Sequence, residues 1–120
     1  MAAMPVRSFP AGLRLLPLLG GLLGVAILAL DAKAADARAG RQKAQMCQTC
    51  HGIDGVARLP DAPNIGGESE IYLTNQLTAF RSGARQHEQM SIIASGLSDE
   101  DIADLAAWYS SIKFSVTLPN

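Results

Sequence analysis

Apolar positions in this chain of 120 residues fall into three blocks of two kinds. The first, LLPLLGGLLGVAILAL at 15–30, has no polar face and no charge. The other two recur at helical spacing. Ile71, Leu73, Leu77 and Phe80 lie mostly along one face of a predicted helix that starts from Ser69, a good N-cap, and ends at Gly83. Ile102, Leu105, Trp108 or Tyr109, and Ile112 form the buried stripe of a helix capped by Ser98. Its first turn holds Asp99, Glu100 and Asp101, where the helix dipole favours negative charge. Ala37 to Met46 reads as a shorter helix of small and polar residues. Between these helices lie two loops, 51–69, rich in Gly, Pro, Asp and Asn, and 83–97. No apolar/polar alternation of strand length and no internal repeat occurs, so the predicted class is all-α.

Composition divides the chain in two. The opening fourteen residues carry Arg7 and Arg14 and no acid, the apolar block follows, and Ala32-Lys33-Ala34 supplies small residues for cleavage. A basic start, an apolar run and a small-x-small site are the layout of a secretory signal peptide over 1–34. A retained membrane anchor is the alternative. The run of sixteen residues, with Pro17 and three glycines, is short against the ~20 that span a bilayer. Either way the working part, residues 35–120 as one domain, is expected to be exported. That part has seven Lys or Arg against ten Asp or Glu, a formal charge of −3, with none of the basic stripe of a nucleic-acid binder. Its aromatics are few, and a core of this size needs a staple such as a disulfide, a metal or a cofactor. A long irregular loop in so small a domain also suggests chain wrapped around something.

The segment Met46-Cys47-Gln48-Thr49-Cys50-His51-Gly52 supplies the candidate staple. A disulfide across two intervening residues constrains little chain, and a redox-active pair belongs in a βαβ setting that is missing here. Structural zinc needs four ligands; Cys47, Cys50, His51 and His87 are the only Cys and His present, and the first three are too close together to close on one ion without strain. Haem attachment accounts for every residue. Two thiols spaced by one helical turn form thioethers with the two vinyl groups, and the adjacent His51 becomes the proximal iron ligand.

A sixth ligand is then required, or an open position. Of the two methionines after residue 35, Met46 is tied to the proximal side by Cys47. Met90 stands 39 residues beyond His51, in the polar context RQHEQMS rather than on an apolar stripe, and is free to approach from the opposite face. His87 is the competing ligand, with a solvated surface histidine as its ordinary reading. Met90 is preferred.

AGRQKAQMCQTCHGIDG, APNIGGESEIYLTNQLTAFRSGAR and MSIIASGLSDEDIADLAAWY together resemble a small bacterial class I cytochrome c. This is the periplasmic one-haem type that also forms each half of diheme relatives. The resemblance covers nearly all of 37–113 and places Met90 eight residues before the capping Ser98. It implies an all-α class I cytochrome c fold, three main helices and loops wrapped around one covalent haem c with its iron. It further implies that the Pro63 carbonyl accepts a hydrogen bond from His51, and that Gly40 lets the first and last helices cross closely against Leu105 and Trp108. Ile65, Tyr72 and Leu77 would line the haem pocket, with Asn64 nearby in no assigned role. The chain departs from the family in HEQ before Met90, where more apolar or proline-containing sequence is the rule, and the tail KFSVTLPN has no interpretation.

The expected function is an exported, periplasmic electron carrier rather than an enzyme. It would be monomeric, meet redox partner proteins transiently, and touch a membrane only if the N-terminal segment is retained. Two rivals are a cytochrome subunit fixed to a periplasmic dehydrogenase or oxidase, and a haem-based ligand sensor in which Met90 does not coordinate.

Overall fold

The computed structural model describes residues 34–120; the export signal read in the sequence lies, but for Ala34, outside the described residues. Helix α1 is Ala37–Lys43, followed by a 3-10 turn at Ala44–Met46. Helix α2 is Gln48–His51, α3 is Glu70–Ser82, α4 is Met90–Ser95 and α5 is Asp99–Ser111. No strand occurs among the described residues.

Each of the three main helices starts at a side-chain cap. The Asp36 carboxylate accepts from the N–H groups of Arg38 and Ala39 at 2.8 and 3.3 Å to begin α1. Ser69 Oγ accepts from the Tyr72 N–H at 3.2 Å to begin α3, and Gly83 ends it. In α5 the capping is reciprocal: Ser98 Oγ accepts from the Asp101 N–H at 3.0 Å, while the Asp101 carboxylate accepts from the Ser98 N–H at 2.9 Å.

Two expectations need correction. The loop expected at 83–97 contains α4. Six residues make fewer than two turns, so the segment shows no helical period, and Gln89 at its N-cap gives no side-chain bond. Tertiary packing holds it: Ala94 and the following Leu97 are buried in the core. The second correction is Ile71, which is 76% exposed. At 3.6 residues per turn it sits roughly 160° around the helix from Leu73, away from the buried Leu73 and Phe80.

The core is Ala44, Leu73, Phe80, Ala94, Leu97, Ile102, Leu105, Ala106 and Tyr109. Three of these nine are alanines, so the helices must approach closely to make contact at all. They do so at Gly40, which is buried where α1 meets α5. A Cβ there would fall on the Asp104 carbonyl and lie 2.9 Å from Trp108 Cβ. The nearest neighbours are thus the Asp104 backbone and the expected Trp108.

The crossing is locked by a carboxylate. Asp104 is 1% exposed; one oxygen accepts from the Asp36 N–H at 2.7 Å and the other from Lys43 Nζ at 2.7 Å. Lys43 also pairs with Asp101 at 2.9 Å. These hydrogen bonds to Asp104 and Asp101 hold the Lys43 ammonium well above its ordinary range. The bond from Lys43, then those from Ser98, bring Asp101 down from 3.8 to about 2. At the other end, Arg81 of α3 donates to the Leu97 carbonyl at 3.0 Å and pairs with Asp99.

Gly40→Ala should destabilise the haem-loaded protein by about 1–3 kcal/mol in a denaturant titration, because two backbones cannot retreat from an added methyl. A stabilising effect, as alanine's helix propensity alone would give, would contradict the crossing described. The Asp101 carboxylate is stabilised in the folded chain, so its contribution is complete above the unfolded pKa. It fades as pH falls from 3.8 to about 2. Stability measured through that window should decline less steeply in Asp101→Asn than in the parent.

Candidate functional site

The two cysteines stand on one turn. Cys47 precedes α2, and its backbone carbonyl accepts from the N–H groups of Cys50 and His51 at 3.3 and 3.0 Å; the helix ends at Gly52, whose φ of 71° is the left-handed backbone that glycine tolerates. The Cys50 carbonyl accepts from the Arg58 N–H at 2.7 Å, which turns the loop back over the segment. Both thiols are free and half-buried. Burial pushes the Cys47 thiol up to about 11, with the Tyr109 hydroxyl beside it pulling the other way. A disulfide-exchange cysteine needs the opposite, a depressed thiol.

His51 is buried at 8% exposure, and its Nδ1 lies 2.9 Å from the Pro63 carbonyl oxygen. A carbonyl only accepts, so the ring hydrogen is on Nδ1 and the Nε2 lone pair is left for a metal. The loop that brings Pro63 there is self-bonded. Gly55 accepts from the Ile65 and Gly66 N–H groups at 2.8 and 3.1 Å, and Asn64 Oδ1 accepts from the Ala57 N–H at 2.8 Å. Asn64, without a role in the sequence reading, therefore holds the turn next to Pro63.

Two residues that the sequence weighed as alternatives both serve. Tyr109 donates its hydroxyl to the Gly52 carbonyl at 3.1 Å, and Trp108 donates its indole N–H to the Ile53 carbonyl at 3.0 Å. Both anchors come from α5 and grip the two residues after His51. Burial, and then the Cys47 sulfur, push the Tyr109 phenol above its ordinary range. The only sequence signal for these bonds was the adjacent Trp-Tyr pair on the predicted helix; their acceptors, being backbone carbonyls, leave none.

Of the expected pocket residues, Cys47, Ile65, Leu77 and Met90 pack, half-buried, against the same core, together with Ile53 and Ile112. Tyr72 stands apart from that cluster at 47% exposure. Met90 is the first residue of α4. His87 is exposed, with Nδ1 3.3 and 3.4 Å from the N–H groups of Gln89 and Met90.

This donor set fits haem better than a bare ion. Among the described residues no group of three or more His, Cys, Asp or Glu could hold a metal. The two unjoined thiols on one turn, the imidazole with a free Nε2 and the apolar neighbours Ile65, Leu77 and Met90 instead suit a flat, apolar, covalently tethered macrocycle.

An all-α chain with this site defines a c-type cytochrome. The comparison with family models agrees: the cytochrome c family, described as "Cytochrome c", matches residues 37–113, and the chain belongs to it. It is 48% identical over 81 residues to cytochrome c-554(548) of Halomonas halodenitrificans, across 65% of this chain and 98% of that one. Cytochrome c4 of Pseudomonas aeruginosa is 40% identical over 95 residues, 79% of this chain but 47% of its own length. The crystal structure of reduced recombinant cytochrome c4 from Pseudomonas stutzeri matches with a TM-score of 0.64 at 38% identity, covering 69% of this chain and 48% of that one. The chain therefore spans about half the length of these cytochrome c4 relatives. Membership of the family brings haem c with its iron, bound covalently through the one Cys-x-x-Cys-His motif at Cys47 and Cys50.

Tyr109→Phe keeps the ring and strands the buried Gly52 carbonyl. Urea denaturation of the haem-loaded variant should show a loss of about 1–3 kcal/mol, the cost of leaving a buried acceptor unpaired. A loss near zero would mean that the Gly52 carbonyl finds water instead.

Proposed function

We propose that the protein is an exported one-electron carrier of the periplasm, with His51 and Met90 as the axial ligands of its haem iron. The observation that carries the reading is the 2.9 Å contact between His51 Nδ1 and the Pro63 carbonyl, directly after the two attachment cysteines. It fixes the tautomer and aims Nε2, as a second hydrogen bond on a ligating histidine does.

When bound, the haem supplies the reversible change between ferric and ferrous iron; the chain sets its direction and its surroundings. Met90 would contribute a thioether, which favours the ferrous state and raises the reduction potential. Its place among the half-buried residues packed on the core supports that role, whereas Met46, 51% exposed, adjoins Cys47. His87 is the weaker candidate because its Nδ1 is turned toward backbone N–H groups. Ile65 and Leu77 would keep water from the iron, with Tyr72 at the rim. With His51 and Met90 both holding the iron, no place would be left for a substrate, and the chemistry would be outer-sphere electron transfer rather than catalysis.

Export rests on the basic, apolar and small-residue order of 1–34. The expected partners are redox proteins, a donor and an acceptor, meeting a monomer through small and short-lived contacts. The charge of −3 over 35–120 suits partners with some basic surface.

Optical spectra of the haem-loaded parent and of Met90→Ala test the assignment. The parent should be low-spin in both oxidation states, and its oxidised form should carry the sulfur-to-iron band that the variant loses. A high-spin parent whose ferrous form binds carbon monoxide rapidly would replace the carrier by a ligand sensor. A stable partner that co-purifies with the parent would replace the diffusing carrier by a fixed subunit.

A further inference from the structure

His87 was a rival ligand by sequence, yet its geometry gives it different work. The His87 N–H donates to Ser91 Oγ at 3.0 Å, and the Ser91 N–H donates to the His87 carbonyl at 3.0 Å. Between these two bonds the imidazole Nδ1 faces the N–H groups of Gln89 and Met90 at 3.3 and 3.4 Å. Those N–H groups stand at the leading end of a helix of six residues whose N-cap, Gln89, lends no side-chain bond. A helix that short does not hold its first turn alone.

The ring is itself anchored on α3. It meets Phe80 edge-on, with centroids 6.4 Å apart and planes at 74°. Phe80 is buried, and the Arg85 guanidinium lies over its ring at 4.5 Å. Arg85 in turn donates to Gln76 of α3 and, through its N–H, to the Ala79 carbonyl at 3.0 Å. A chain of contacts thus runs from α3 through Phe80 and His87 to the backbone of Met90.

We propose that His87 is a positioning residue for Met90. Its Nδ1, accepting from the Gln89 and Met90 N–H groups, caps the start of α4 and so sets the direction in which the Met90 thioether is presented. The proposal rests on Met90 being the axial ligand. It predicts that loosening the cap lets an added ligand compete more easily for the position Met90 holds.

The test uses the haem-loaded protein, with imidazole as the competing ligand and the sulfur-to-iron band as the readout, in the parent, His87→Ala, His87→Asn and Ser98→Ala. Asparagine places an oxygen where Nδ1 stands, so His87→Asn keeps the acceptor and discards the ring. His87→Ala should bind imidazole about fivefold tighter, the factor equivalent to losing one typical helix cap, and show a weakened band. His87→Asn should stay near the parent on both measures. Ser98→Ala, which removes the cap of α5, should lower stability without changing imidazole affinity; a matching rise there would reduce the His87 effect to general loosening and overturn the proposal. Parent-like behaviour of His87→Ala would overturn it and leave Met90 ligation standing, as would His87→Asn behaving like His87→Ala. A parent with no sulfur-to-iron band would instead remove the ligand assignment, and the proposal with it.

Discussion

The contact on which the rest depends is the backbone-to-backbone crossing of α1 and α5 at Gly40. Only a residue without a side chain lets the Asp104 carbonyl and Trp108 come so near. Once they are near, the buried Asp104 carboxylate reaches both the Asp36 N–H and Lys43, and the crossing angle is fixed at three points. Such a carboxylate is stabilising only while it is fully paired, so the bonds from Asp36 and Lys43 belong to one arrangement rather than adding independently. With nine buried core residues among those described, three of them alanines, hydrophobic burial alone would be a thin basis for a fold.

The site hangs from that crossing. Because α5 is held against α1, Trp108 and Tyr109 meet the carbonyls of Ile53 and Gly52 just past the motif. The loop beyond then closes on itself at Gly55 and Asn64 and delivers the Pro63 carbonyl to His51. Two separate pieces of backbone and one helix therefore converge on a single imidazole. Four residues of α2 would not hold that ring by their own helical propensity. Met90 is carried by another short helix, braced on α3. Both proposed ligands thus sit on segments too small to be ordered alone, and each takes its order from a longer helix.

What was legible in the sequence was local chemistry. Ser69 and Ser98 as caps, the acidic first turn of α5 and the Cys-x-x-Cys-His spacing each depend on residues within one or two turns of one another, and each could be read directly. The role of Gly40 and the Pro63 contact came from family resemblance, since nothing within a few residues of either position demands them. Asp104 went unread because its partners lie 68 and 61 residues away, and a single acid on a helix gives no sign of what will meet it. Helix α4 went unread because six residues cannot display a period of 3.6. Ile71, apolar in identity, faces solvent because its angle on the helix turns it away from Leu73 and Phe80. Tyr109 was half seen: its burial was one of two options, while its hydroxyl bond, ending on a carbonyl, was invisible.

The pairing of α1 with α5 also has a kinetic side. It joins the first and last helices among the described residues, so the loop it closes holds every other described helix, and contacts of that span are slow to form. A chain delivered N-terminus first presents Cys47 and Cys50 long before Tyr109 and Trp108 exist to grip the residues beside them. Until α5 packs, the backbone just past the motif lacks the bonds from Trp108 and Tyr109. The last helix in the chain is thus the one that completes the surroundings of the first motif, and the order of residues decides which contacts can form early.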